Sequence, residues 1–251
     1  MSQSEARDAR DGRMDRTSIA QETAKAIDEE SRVVLAGFDA LHEQIGHLLT
    51  VLIPAQAQLM VVGVGSGFGL EFLLNALPRV YVLAIDPSPT IVDLARRRLR
   101  GTPNIDRVSL ICGDIGDAGT QLFDAVITVG VLHNIEGDIA RSDFVLQTAK
   151  RLRMSAPLII GSQSGSCEDS LLFQNAIARR IASANISRAS KAEISRVLED
   201  TGRFSSYPKD SWLIQCCEAS GLSTPRCFFQ SLLFKSWIGF RRDTFAPERS
   251  S

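Results

Sequence analysis

Five short apolar runs, alternating with helix-patterned segments of about ten residues, constrain this chain more than anything else in it. The runs cover residues 57–64, 79–85, 108–112, 123–130 and 156–161, and most stop at a glycine or at Asp86-Pro87. Strands buried on both faces read this way, as continuous apolar stretches rather than alternating ones. Helical patterns at 68–77, 90–99 and 140–153 lie between them. Strand and helix in alternation predict an α/β fold, doubly wound and Rossmann-like. Two further β-prone runs, 226–231 and 233–240, would add a closing antiparallel hairpin and make a mostly parallel seven-stranded sheet.

The flanks carry a different pattern. Residues 1–16 are polar and are expected to be disordered. Residues 17–55 read as N-terminal helices, a lid or a dimer contact, with a break expected near Ser31. Val34, Leu35, Phe38, Leu41, Ile45, Leu48 and Leu49 fall at the 3–4 spacing of one buried stripe, and that stripe can pack on its own domain or across a homodimer axis. Residues 56–164 would form the core. The segment 165–208 is helical and polar and reads as an inserted cap, and 209–251 would finish the core with a helix and the hairpin.

Composition excludes several functions. With 28 basic residues against 29 acidic ones the formal charge is −1, so a nucleic-acid partner is not expected. Arg96, Arg97, Arg98 and Arg100 end an amphipathic segment, where cations suit a helix C-terminus. The five cysteines form no C-x-x-C pair, and with only His42, His47 and His133 besides, no metal site is expected. Buried free thiols suit a reducing compartment. No apolar run has the length of a membrane span and no secretory signal opens the chain, so it is expected to be cytoplasmic.

Chemistry concentrates at the ends of the first three strands. Gly63-Val64-Gly65-Ser66-Gly67 joins a strand to a helix, where glycines let backbone approach a ligand closely. The spacing fits neither the G-x-G-x-x-G of dinucleotide sites nor a Walker loop, which needs a lysine. The alternative is a tight turn without a ligand. Asp86 ends the second strand, where an acid can accept both hydroxyls of a ribose, or cap the helix opening at Pro87 or Pro89. Asp114, after the third strand, can accept from an adenine amino group while Ile115 packs on the ring. Alone it would be an ordinary loop acid. Following the fourth strand, His133 can take a proton and Asn134 can hold an amine or carboxylate.

Val61 to Gly67, Leu83 to Pro89, Cys112-Gly113-Asp114-Ile115 and Phe123 to Ile127 together resemble class I S-adenosylmethionine (SAM)-dependent methyltransferases. The likeness extends over about residues 30–240. It implies SAM as cofactor, with Gly63, Gly65 and Gly67 under its methionine part, Asp86 and Pro87 at the ribose, and Asp114 and Ile115 around the adenine. Val129 would face the amino-acid end. Two positions depart from the family. An acid commonly stands two residues before the first glycine, where this chain has Val61, and Met154-Ser155-Ala156 replaces a common Pro-Gly-Gly. The methionine end is therefore expected to be held in an unusual way. Val34-Leu35-Ala36-Gly37-Phe38, Glu193-Ile194-Ser195 and Phe228 to Phe234 look like the carboxy-SAM synthase branch. That branch has an arginine where Leu198 stands here, with Arg196 nearby, so a carboxylated cofactor is not the expected product.

Methyl transfer to a small-molecule acceptor is the leading expectation. A cap containing Leu171, Leu172, Phe173, Gln174 and Tyr207 would help enclose such a substrate. The second is consumption of SAM without methylation, its amine closing azetidine-2-carboxylate and expelling methylthioadenosine. The third is a non-catalytic SAM sensor or partner subunit.

Overall fold

The computed structural model describes residues 16–165, 170–199 and 207–242. The N-terminal stretch expected to be disordered lies outside these residues, except for Arg16, which opens the first helix. At the centre are β1 (Gln58–Val62) and β4 (Ala125–Val129). Both are flanked by strands on each side and covered on each face, which is why apolar residues run through them without alternation. Around them come β2 (Tyr81–Asp86), β3 (Val108–Cys112) and β5 (Pro157–Gln163), all parallel. The hairpin of β6 (Arg226–Ser231) and β7 (Phe234–Phe240) closes the sheet antiparallel to β5. The order is β3-β2-β1-β4-β5-β7-β6, so the chain reverses its direction of winding between β1 and β4. Crevices at such reversals, beyond the carboxyl ends of the strands, are where ligands bind in open α/β sheets.

Helices α1 (Arg16–Val34) and α2 (Phe38–Leu52) precede the sheet. Helices α3 (Phe68–Ala76), α4 (Pro89–Leu99) and α5 (Asp138–Lys150) connect strands. Helices α6 (Ser170–Ser183) and α7 (Arg188–Glu199) form the insertion, and α8 (Asp210–Ala219) leads into the hairpin. The break between α1 and α2 falls at Gly37, not near Ser31. Ser31 keeps its hydroxyl inside the helix by donating to the Ile27 carbonyl four residues back, at 2.8 Å. Gly37 takes φ 83°, a left-handed conformation that ends one helix and starts the next, and its Cα faces the Phe229 ring from β6. Two segments of the carboxy-SAM synthase-like pattern thus meet in space. The side chains of Glu193, Ile194, Arg196 and Leu198 lie outside the described residues.

The apolar stripe of α2 packs on its own domain. Leu41, Ile45 and Leu49 are fully buried in the same core as Leu59, Leu70 and Leu74, each contributing about 2 kcal/mol of burial. The motive for a dimer through this stripe is therefore gone. Among the described residues of the cap, Tyr207 lies edge-on to the His133 ring with 5.6 Å between centroids, and α6 packs elsewhere. Ile177 and Ile181 of α6 pack with Leu233 against Val33 and Val34, Leu172 is exposed, and Arg180 donates to the Val33 and Arg32 carbonyls at the end of α1. The insertion props the N-terminal helices, and those helices form the roof.

Candidate functional site

Two cavities meet over the glycine loop, and Gly63, Gly65, Val129 and Gly130 line both. Between β1 and α3, Gly63 sits so near β4's continuation that a Cβ there would lie 2.2 Å from Val131 Cγ2. A side chain at Gly65 would meet nothing within 4 Å, so the loop presents bare backbone to open space. Gly67 does other work. At φ 82° it opens α3, and a Cβ on it would press on the Ala95 backbone at 3.1 Å and on Arg98. It lines neither cavity, and it lets α3's start pack closely on α4.

The larger cavity, about 790 Å³, is lined by Ile85, Asp86, Pro87, Gly113, Asp114 and Ile115 on one side and Val131, Asn134 and Phe144 on the other. Its size is within the range of small-ligand sites. Asp86 is only 9% exposed and its carboxylate is held from two directions: Oδ2 accepts from Val64 N at 3.0 Å and Oδ1 from Ser88 N at 2.9 Å. It therefore ties β2 to the glycine loop, and each oxygen keeps lone pairs for a hydroxyl pair. It does not cap the next helix. Ser88 does, accepting from Ile91 N, with Pro89 at the first turn. Asp114 caps a short 3-10 turn, Ile115–Ala118, by accepting from Gly116 N at 2.7 Å through Oδ1, while Asp117 accepts from Asp114 N in return. Ile115 is buried at the cavity wall, and Asn134 donates to the Gly130 carbonyl at 2.8 Å.

The smaller cavity, about 470 Å³, lies under the N-terminal helices. Ile27, Glu30, Ser31 and Val34 reach it from α1 at the 3–4 spacing of one helical face, and Phe38, His42 and Ile45 do so from α2. Val61, Ile127, Phe68 and Phe234 give it an apolar wall, with His133 and Gln163 at the far side. The two histidines differ in tautomer. Nδ1 of His133 accepts from the Gln163 N–H at 3.2 Å, which puts the proton of the neutral ring on Nε2. Nδ1 of His42 lies 2.9 Å from the Phe38 carbonyl, an acceptor, so it carries the proton and Nε2 carries the lone pair. Burial pushes the His42 pKa down, and the ring, edge-on to Phe38 and Phe68, is neutral at pH 7. Gly69 makes room for it, since a Cβ there would lie 2.6 Å from Nε2.

A buried polar cluster ties this roof to the glycine loop. Asp28 of α1 pairs with Arg98 at 2.8 Å and accepts the Ser66 hydroxyl, and Arg98 also pairs with Glu71 at 2.7 Å and donates to the Ser66 carbonyl at 3.2 Å. Arg98 is more than the helix-end cation its sequence position suggested. Sequence reasoning also passed over Glu30, His42, Gln163 and Asp28. The one signal available was the run of polar positions, Asp28, Glu30 and Ser31, interrupting an otherwise apolar helical face.

Known proteins share this frame. Residues 60–154 match the family described as "Methyltransferase domain". Over those residues the chain is similar to a methyltransferase domain. A malonyl-[acyl-carrier protein] O-methyltransferase from Priestia megaterium is 30% identical over 88 residues, which cover 35% of this chain and 31% of that protein. The chain thus matches about a third of the length of that curated relative. Among solved structures, a "possible exported protein" from Bordetella parapertussis aligns with a TM-score of 0.62 and 16% identity over 81% of this chain and 68% of its own. The N-methyltransferase NodS from Bradyrhizobium japonicum, solved with S-adenosylhomocysteine, aligns with a TM-score of 0.55 and 15% identity over 82% and 87%. These structural likenesses speak to the fold.

SAM is the methyl donor of this domain family, and the residues present suit it. The bare loop at Gly65, the buried Asp86 at the switch point, and Asp114 with Ile115 beyond it offer a backbone cradle, a hydroxyl acceptor and an adenine edge in sequence along one cavity. The matched residues 60–154 include every residue that lines that cavity, and the smaller cavity draws on residues outside them.

Proposed function

We propose that the chain transfers the methyl group of SAM to a small-molecule acceptor held in the smaller cavity. One observation carries this reading: a largely apolar chamber under α1 and α2 opens onto the same glycine loop and β4 end as the cofactor cavity. Bound SAM supplies an activated methyl group on a sulfonium, whose S–C bond breaks as the acceptor's heteroatom bonds to the methyl. The chain's own part is placement and exclusion of water. Asp86 would hold the ribose hydroxyls, Ile115 and Asp114 the adenine, and the apolar wall from Val34 to Phe234 the acceptor. Where the acceptor sheds a proton, His42 Nε2 is the available base, because the Nδ1 lone pair of His133 is taken by Gln163 N–H.

The test is incubation of the purified chain with SAM, alone and with pooled hydroxyl- and amine-bearing small molecules, followed by mass spectrometry of the adenosyl product. Unchanged SAM alone and S-adenosylhomocysteine with an acceptor are expected. Methylthioadenosine formed from SAM alone would replace methyl transfer by intramolecular cyclisation. Bound SAM that yields no product with any acceptor would leave a sensor or partner subunit.

A further inference from the structure

The polar groups that line the smaller cavity are unbalanced. Among the described residues, no lysine or arginine lines it, and Glu30 is the one carboxylate that does. Among the described residues, no hydrogen bond or ion pair engages the Glu30 side chain, although its neighbour Asp28 is locked to Arg98 and Ser66. Gln163, across the chamber, has its amide oxygen buried without a hydrogen-bond partner among those residues. His42 adds a third acceptor through Nε2. Val61, where the family commonly places an acid, contributes only apolar surface. A chamber with apolar walls, an unpaired carboxylate and an unpaired amide oxygen is complementary to a group with positive charge and several N–H donors.

From the unpaired Glu30 carboxylate and Gln163 amide oxygen in one apolar chamber, we propose that the smaller cavity binds an ammonium group, with Glu30 as its counter-ion. This deepens the SAM-dependent reading and rests on it. The ammonium belongs either to the amino-acid end of the cofactor, which reaches this chamber through the shared Gly63–Gly65 loop, or to an amine acceptor. In either case a charge sunk in apolar surroundings needs an opposite charge beside it. Glu30 sits on α1, the roof element, so the group would be gripped from above and not from the end of β1.

Isothermal titration of the full chain, wild type and Glu30→Gln, separates the two sources. The probes are S-adenosylhomocysteine, which carries the ammonium; methylthioadenosine, which lacks the amino-acid part; and phenethylamine added to protein saturated with S-adenosylhomocysteine. If the cofactor's amine is held, Glu30→Gln weakens S-adenosylhomocysteine about tenfold or more and leaves methylthioadenosine within twofold. If an acceptor amine is held, both adenosyl ligands are unchanged and phenethylamine binding falls by a similar factor. Gln163→Leu gives a second reading of the same site, with a several-fold loss expected for whichever ligand depends on Glu30. Equal affinities of wild type and Glu30→Gln for all three probes overturn the proposal, as does a wild type that shows no Glu30-dependent binding. A wild type that binds neither adenosyl ligand rejects the SAM reading instead, and phenethylamine binding to the free chain then decides the ammonium proposal.

Discussion

At the scale of single residues, the two cavity histidines show how one backbone partner selects a chemical role. Phe38 offers a carbonyl to His42 and Gln163 offers an N–H to His133, so the rings carry their protons on opposite nitrogens. The burial that keeps His42 neutral also links it to stability. Its folded pKa lies below the ordinary value of 6.5, so the stabilisation is complete above that pH. As pH falls below about 6.5 the unfolded chain takes up a proton that the folded chain resists, and stability declines until the folded value is reached. Urea denaturation between pH 7.5 and 5 should show this slope, and His42→Leu should flatten it. A slope unchanged by the substitution would mean that His42 is not buried in its neutral form.

At the scale of elements, the α1 roof is joined to the glycine loop through a buried polar set. Its polar attachment to the loop is Asp28, 3% exposed, pairing with Arg98 and accepting the Ser66 hydroxyl. Breaking a buried pair costs about 3 kcal/mol when the remaining charge is left alone, and less where a second partner stays. Arg98 keeps Glu71, so the loss should be felt mainly at the roof. Asp28→Ala should raise amide exchange along α1 while β1, β4 and β5 stay protected, and should weaken S-adenosylhomocysteine through the loosened Ser66. Uniform loss of protection would place Asp28 in the global core instead. This is also where legibility in the sequence stops. Gly63, Gly65, Asp86 and Ile115 could be read because each follows its strand directly, so local pattern sets its place. Asp28, Glu30, His42 and Gln163 come together only through packing of α1 and α2 on the sheet, which no local spacing encodes. The packing of Gly67 was not legible for a related reason: its neighbour is Ala95, on another helix.

For the whole molecule, apolar burial does what disulfides do in smaller chains. Cys216 and Cys217 are buried free thiols on α8, and burial, with the neighbouring Cys216 and Glu218 adding to it, pushes the Cys217 pKa up to about 12. Cys112 and Cys227 are exposed. Iodoacetamide should therefore label Cys112 and Cys227 in the native protein and reach Cys217 only on global unfolding, as read by peptide mass spectrometry. Early labelling of Cys217 would mean that α8 opens separately from the sheet. The fold class, the seven strands and the closing hairpin were legible because long apolar runs leave few alternatives. The roof was not, since α6 has the polarity of a lid yet packs against the end of α1.

The larger cavity draws every lining residue from 62–147, one uninterrupted stretch, whereas the smaller one needs Ile27 near one end and Phe234 near the other. A chain emerging from the ribosome therefore carries every wall residue of the larger cavity well before the smaller chamber can exist. Heredity meets the same partition. Changes confined to the two ends can reshape the smaller chamber while every wall residue of the larger one is left in place.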